Sequence, residues 1–265
     1  MGLPAQSDPI NETDVFGVRI HAQRFSEAVD QVTAWAHEAA PRFICLCPVS
    51  TIIQCRDDDT LHQQLHTAAM RTADGMPIVW MQHMMGHHHA ERVYGPDLLI
   101  AVCSQHSAVP LRHYFLGGAA GVAERLVESL QDRFPRIEVV GIAAPIVQPR
   151  TTMPDLDTIA RIRAAQPDIV WVGLGSPKQE RWMALHSPML PFLLIGVGAA
   201  FDFLSGAKRQ APVWMQERGL EWLFRFIQEP RRLARRYIIY NTRFIVLVIV
   251  GWFTGQFRSQ GDEMR

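Results

Sequence analysis

Asp168–Trp182 reads D-I-V-W-V-G-L-G-S-P-K-Q-E-R-W, and the order of residue types in it sets the fold class. Asp168–Leu174 begins with a short apolar run of β-branched and aromatic residues, the mark of a buried strand. Gly173 and Gly175 then allow a tight turn and a close approach of backbone to a ligand. Ser176 is placed to cap a helix whose first residue is Pro177, with Glu180 in its first turn. Strand, glycine turn and helix N-terminus together favour an anion, because unpaired N–H groups and the helix dipole both attract one. A plain βα turn would read the same way, since a pair of glycines carries less information than a full dinucleotide fingerprint.

Working outward, the same alternation recurs. Downstream, Phe192–Val197 is a strand running into G-V-G-A-A-F-D-F. Upstream, Leu111–Leu116 is a strand ending in Gly117-Gly118, with a helix from Ala119 to Phe134. Ile137–Ile142 is the next strand and Asp155–Ala165 the next helix. Nearer the start, Val15–Ile20 reads as a strand, half of a hairpin, and Ser26–Ala39 as a helix capped by Ser26. Arg42–Val49 is strand-like, followed by a helix through about Met70 and a break at Asp74-Gly75. Pro77–Met85 and Asp97–Gln105 are helical, joined by a loop at Glu91–Pro96. Strands and helices alternating at these lengths predict an α/β, Rossmann-like fold: a mostly parallel sheet with helices on both faces. Ligands of such folds sit outside the carboxyl ends of the strands, where the turns near Val49, Leu116, Leu174 and Val197 fall.

Composition narrows the classes. The chain of 265 residues can bury a sizeable core, and its 26 basic and 26 acidic residues leave no net charge to argue for nucleic acid. Four cysteines (Cys45, Cys47, Cys55, Cys103) lack zinc spacing and read as reduced, buried thiols of a cytoplasmic protein. Residues 1–13 read as a disordered lead-in, and Asp8, Glu12 and Asp14 are unlike the start of a signal peptide.

After Ala211 the character changes, dividing the chain into an α/β domain over 14–211 and a C-terminal appendage over 212–265. Trp214–Gln228 has Trp214, Leu220, Trp222, Leu223, Phe226 and Ile227 on one broad helical face. Pro230 interrupts, Arg231–Arg236 is basic, and Phe244–Phe253 is fully apolar. Ten apolar residues are too few to span a bilayer as a helix. The run suits either a buried core element or a segment lying in a membrane interface beside the basic residues.

Several groups could carry chemistry. Asp74 sits at an irregular break before a helix, where a carboxylate can also serve as a cap. Asp57-Asp58-Asp59 and Asp155-Leu156-Asp157 match the loose D-x-D pattern of metal–nucleotide sites, but both read as solvated helix starts. His83 with His87-His88-His89 has metal-ligand spacing without an accompanying carboxylate or thiol motif, so no metal site is assigned. Gln179 and Glu180 can meet a ligand at the glycine turn; Lys178 and Arg181 are ambiguous.

Seven blocks now stand in order: A-D-G-M-P-I-V-W (73–80), E-R-V-Y-G-P-D-L-L (91–99), F-L-G-G (115–118), G-L-G-S-P-K-Q-E-R-W (173–182), G-V-G-A-A-F-D-F-L-S-G (196–206), R-Q-A-P (209–212) and G-L-E-W-L-F-R-F-I-Q-E-P-R-R (219–232). Together they resemble the WecG/TagA/CpsF family, glycosyltransferase family 26, over roughly Val15 to Tyr237. The resemblance implies an inverting enzyme without cofactor or D-x-D metal. Its donor would be a UDP-sugar and its acceptor a polyprenyl-diphosphate-linked sugar. It would work peripherally at the inner leaflet of the bacterial cytoplasmic membrane, in cell-surface polysaccharide synthesis; homo-oligomerisation is left open. It further implies Asp74 as general base, with Arg92 and Gln179 beside it. Gly75, Gly117, Gly118, Gly175, Pro177, Glu180, Gly198 and Asp202 are the expected substrate contacts, and Arg225, Arg232 and Arg235 would close over the diphosphate. One departure bears on the donor: where the family usually has T-x-N, this chain reads Cys47-Pro48-Val49. A second alters the region after Gly141 to A-A-P-I. The rival enzyme class, a nucleotide-cofactor oxidoreductase, lacks G-x-G-x-x-G after the first strand and an acidic residue about 20 positions on. A non-enzymatic nucleotide-binding protein at the membrane would leave Asp74 as a cap.

Overall fold

A computed structural model describes residues 12–105, 109–144 and 152–255 of the chain. The strands are β1 (Glu12–Val15), β2 (Val18–His21), β3 (Arg42–Cys47), β4 (Met70–Ala73), β5 (Arg112–Gly117), β6 (Glu138–Ala143), β7 (Ile169–Gly173) and β8 (Leu193–Gly196). Among the described residues they form one eight-stranded sheet in the order β1-β2-β4-β3-β8-β7-β5-β6. The β1–β2 pair is antiparallel and the remaining pairs are parallel.

The near-continuous apolar strands follow from burial on both faces. Along β7, Val170 and Val172 enter one core while Ile169 and Trp171 enter the other. The first core packs α2 (Val49–Asp57), α3 (Asp59–His66), α4 (Met76–Met84), α7 (Leu156–Ala165) and α8 (Lys178–His186) onto the sheet. The second packs α1 (Phe25–Ala36), α5 (Gly95–Cys103), α6 (Val122–Arg133) and the short α9 (Ala200–Leu204) onto the opposite face. Chains leaving β3 and β7 therefore turn to one face, and those leaving β5 and β8 to the other. A crevice opens where neighbouring strands diverge in this way.

Several boundaries differ from the sequence reading. Val15–Ile20 is not one strand but contains the hairpin turn at Phe16-Gly17, and Glu12 and Thr13 belong to β1 rather than to a lead-in. Residues 1–11 lie outside the described residues, as do Pro145 and Ile146 of the altered A-A-P-I stretch. The helix expected to run to about Met70 is two helices, divided where Asp58 caps α3, and it stops before a strand that the sequence reading missed, β4. Its second residue, Arg71, masked the pattern. The side chain is buried, with Nε donating to the Arg19 carbonyl (2.8 Å), Nη1 to that of Ala68 (2.7 Å) and Nη2 pairing with Glu12 (2.5 Å). Helix α1 starts at Phe25, with Arg24 and Glu27 closing its first turn, so Ser26 is not the cap. The amphipathic stretch Trp214–Gln228 is broken at Gly219 (φ +67°) into α10 (Val213–Glu217) and α11 (Glu221–Gln228).

From Pro230 the chain forms a single 24-residue helix, α12 (Pro230–Phe253). Phe244 is buried in the first core, edge-on to Phe16 (5.6 Å between centroids), with Tyr240, Leu247 and Val248 packed alongside. Ile245, Ile249, Trp252 and Phe253 remain exposed, Ile245 and Ile249 along a cleft at the carboxyl edge of the sheet. The core reading of the apolar run thus holds for one side of the helix, and the other side is exposed apolar surface. No helix among the described residues is long and apolar enough to cross a membrane.

Candidate active site

Strand β4 positions the carboxylate of greatest interest. Its register with β3 ends at Cys47–Ala73, and the Asp74 N–H donates to the Cys47 carbonyl (3.1 Å). Asp74 therefore stands at the carboxyl end of a parallel strand, followed by Gly75 at the N-terminus of α4. The returning chain runs beside it: the Val93 N–H donates to the Ala73 carbonyl (2.9 Å), which brings Arg92 and Tyr94 to the same edge.

Two to four strands away, at the ends of β8, β7 and β5, the glycine turns are stitched together. Gly118 N–H donates to the Gly173 carbonyl (3.0 Å), and Val197 N–H to that of Val172 (3.0 Å). Gly117 (φ +117°) lies so close to β7 that an added Cβ would come within 2.7 Å of the Gly173 carbonyl group. The turn after β7 differs from expectation in one respect. Helix α8 begins at Lys178 with no side-chain cap, and the Ser176 hydroxyl instead sits 2.7 Å from that of Thr51. Gln179 is buried, its Oε1 without a hydrogen-bond partner among the described residues.

These edges line one open cleft of about 1440 Å³. Of the residues singled out from sequence, Asp74, Gly75, Arg92, Gly118, Gly175, Gln179, Gly198, Asp202 and Arg225 line it. Gly117, Pro177 and Glu180 do not. Gly117 supports the turn from beneath, and Glu180 (0 % exposed) faces the buried thiols of Cys45, Cys47 and Cys55, whose pKa values rise through burial and, further, through its charge. Arg232 and Arg235 fall on the first turns of α12, and their side chains lie outside what the structure describes. Lys178, ambiguous in sequence, lines the cleft, whereas Arg181 pairs with Asp58. At the altered T-x-N position Val49 faces the cleft, and Cys47 turns into the first core.

Both D-x-D matches are engaged in helix starts. Asp58 and Asp155 accept the N–H groups of Leu61 and Thr158, each at 3.0 Å, and Asp57 pairs with Arg243. The Nε2 atoms of His83 and His89 lie 2.8 and 3.0 Å from the carbonyls of Ala90 and Ala22.

Two residues were missed. Glu221, in the first turn of α11, receives a hydrogen bond from Arg92 Nη2 and another from Tyr94 Oη (3.1 Å). The Arg92 guanidinium lies 3.8 Å from the centre of the Tyr94 ring. Burial alone would lower the Arg92 pKa, but the charges of Asp74 and Glu221 outweigh it and the net shift is upward. Burial, with Glu221 and Asp74 adding to it, raises that of Tyr94. A Glu in the first helical turn reads as a dipole partner, so nothing local in the sequence pointed to its distant contacts.

An α/β sheet with a carboxylate at a strand end, glycine turns and cations around one cleft has the groups to hold an anionic ligand. The sequence profile of the glycosyl transferase WecG/TagA/CpsF family matches residues 13–258, and the chain belongs to that family and is a glycosyltransferase. It is 26% identical to the N-acetylglucosaminyldiphosphoundecaprenol N-acetyl-beta-D-mannosaminyltransferase of Bacillus spizizenii strain W23, over 98% of this chain and 100% of that protein. The enzyme of the same name from Bacillus subtilis strain 168 is 30% identical over 61% of this chain and 62% of its own length. That from Staphylococcus aureus strain MW2 is 26% identical over 84% and 87%.

Proposed function

We propose that the chain transfers an N-acetylmannosamine-type sugar, glucose or a uronic acid from its UDP derivative to a polyprenyl-diphosphate-linked saccharide, with inversion and without a metal. The observation that carries the reading is the position of Asp74, at a strand end in the same cleft as the glycine turns and the N-terminus of α8. In a single displacement the acceptor hydroxyl oxygen attacks the anomeric carbon as the bond to the UDP oxygen breaks. Asp74 takes the hydroxyl proton, and UDP leaves with the bonding pair. An ordinary carboxylate is a weak base for a hydroxyl, so proton transfer comes late in the transition state. The charge growing on UDP is met by the first N–H groups of α8 and by Lys178 and Arg225.

The relatives' names support a mannosaminyl donor and an N-acetylglucosaminyl-diphosphoundecaprenol acceptor. Val49, standing where the family usually places an asparagine, makes the sugar pocket the point of divergence. The outward apolar side of α12, with the basic residues before it, suits contact with the inner leaflet where such an acceptor resides. The test is turnover of labelled UDP-sugars with a lipid-linked acceptor in excess EDTA, with the product anomer assigned by NMR. Asp74→Asn should retain donor binding and lose roughly 10²–10⁴-fold in turnover. Near-normal turnover by that variant would sink the base assignment, and a strict demand for Mn²⁺ or Mg²⁺ would overturn metal independence.

A further inference from the structure

The charge cluster around Arg92 in the cleft joins two distant parts of the chain. Asp74, Arg92, Tyr94 and Asp97 come from consecutive segments of the α/β part, while Glu221 arrives on α11. Both Glu221 oxygens are engaged, one by Arg92 and one by Tyr94, and the side chains of Arg92 and Glu221 are each only 14% exposed. Arg92 is held from three sides: the Tyr94 ring under its plane, Glu221 at Nη2, and the charge of Asp74. The helix that carries Glu221 is itself seated across the cleft. At its start, Gly219 packs so tightly that an added Cβ would lie 2.9 Å from the Trp80 ring. Near its end, Arg225 lies over the Phe203 ring at 5.4 Å.

A guanidinium beside a general base has two opposed effects. It orients the carboxylate, but a cation close by also favours the ionised form and so weakens the base. A second carboxylate on the same guanidinium removes much of the second effect while keeping the first. We propose that Glu221 is a positioning residue that divides the charge of Arg92 between two carboxylates, so that Asp74 keeps its basicity only while α11 is seated. Seating of the C-terminal helices and proton abstraction are thereby one event. With α11 displaced, Arg92 pairs with Asp74 alone, and the cleft binds donor without reacting efficiently. This inference rests on the reading of Asp74 as base, and it assigns Glu221 no contact with substrate.

The experiment is a double-mutant cycle on the full-length enzyme, with UDP-sugar and lipid-linked acceptor supplied in mixed micelles. Glu221→Gln should lower kcat by roughly 10- to 100-fold while KM for the UDP-sugar stays within about threefold. The acid limb of its pH–rate profile should move to lower pH, because Asp74 loses a neighbouring like charge and gains a fuller share of Arg92. The other titrating groups facing the cluster, Tyr94 and Asp97, are unchanged in this variant. Glu221→Asp should recover part of the loss. In an Arg92→Gln background Glu221→Gln should cost little more, since its effect runs through the missing guanidinium. Multiplicative losses in the double variant, or an unmoved acid limb with a lowered melting temperature, would overturn the proposal in favour of a structural contact. Normal turnover of Asp74→Asn would instead overturn the base reading, a result the Arg92–Glu221 cycle does not itself produce.

Discussion

Helix α12 presents two apolar faces with opposite fates, and single substitutions should separate them. Phe244 is 4% exposed, packed edge-on to Phe16 and joined by Leu247 and Val248 against α2. Truncating a buried phenylalanine costs about 3–5 kcal/mol through lost transfer energy and the cavity left behind. For a protein of this size each kcal/mol shifts Tm by about 2–4 °C, so Phe244→Ala should lower Tm by roughly 6–20 °C. Phe253 is 85% exposed and Ile249 half exposed. Replacing both with Ser should leave Tm nearly unchanged, within about 0.5 kcal/mol for each surface site. If that face lies in lipid, the same pair should weaken binding by about 1.5–3 kcal/mol for each side chain withdrawn, on the order of 10²-fold or more.

The assays are thermal unfolding of each variant and co-sedimentation with anionic vesicles at low and high salt. A chain ending near Ala211 should lose the Phe244 contact and expose Phe16, so it should be less stable than the intact protein. A Tm shift below about 2 °C for Phe244→Ala would refute the reasoning, because it would mean that α12 is not part of the cooperative core. Unchanged vesicle binding by the Ile249→Ser, Phe253→Ser pair would refute the assignment of the outer face to lipid.

Gly117→Ala should prevent stable folding, since the methyl meets β7 backbone at 2.7 Å from a backbone conformation unfavourable to alanine; ordinary soluble expression would contradict this. Gly196→Ala meets only the ends of the Met183 and Gln179 side chains, at 2.7 and 3.0 Å, so it should fold with a loss of about 1–3 kcal/mol and a raised KM for the UDP-sugar; an unchanged KM would count against Gln179 as a donor contact. Burial first, assisted by Arg71 at His21, depresses the pKa values of His21 and His113 to about 4. The unfolded chain then takes up the protons first, so stability should be full above about pH 6.5 and fall towards pH 4, by about 3 kcal/mol for each histidine. His113→Gln should flatten that dependence in urea titrations across the window, and an unaltered slope would show that His113 is not a source of it.

The parallel core was legible because its strands are buried on both faces, so Ile169–Gly173 and Leu193–Gly196 stand out as apolar runs ending in glycine. What escaped was decided by partners far along the chain. Met70–Ala73 carries an arginine at its second position, and only Glu12 and Arg19, more than 50 residues earlier, make that arginine a strand residue. With β4 unseen, Asp74 read as a break before a helix instead of the end of a parallel strand. Ser176 has the local pattern of a cap, yet its hydroxyl is engaged by Thr51 on α2. The glycine turns that line the cleft were found, because glycine at a strand end is a local signal.

The cations that line the cleft differ in how far carboxylates balance them. Arg92 is offset by Glu221 and Asp74, and Lys208 by Asp202 (2.7 Å), with Glu229 beyond it at 3.6 Å. Lys178 and Arg225 line the same space and form no ion pair with a described residue. A cation already matched by carboxylates has little left for an incoming diphosphate, whereas an unmatched one at a helix N-terminus adds directly to the attraction of the backbone N–H groups. On the proposed reading the donor's diphosphate is therefore better served by Lys178 and Arg225 than by Arg92 or Lys208. Arg225 follows Glu221 by one turn of α11, so what distinguishes Arg92 from Lys178 and Arg225 is its carboxylate partners rather than distance. On the proposed reading, matching Arg92 with carboxylates keeps that cation from weakening Asp74, while the unmatched Lys178 and Arg225 stay available to the departing anion, as a transferase must stabilise a leaving group and take up a proton in one cleft.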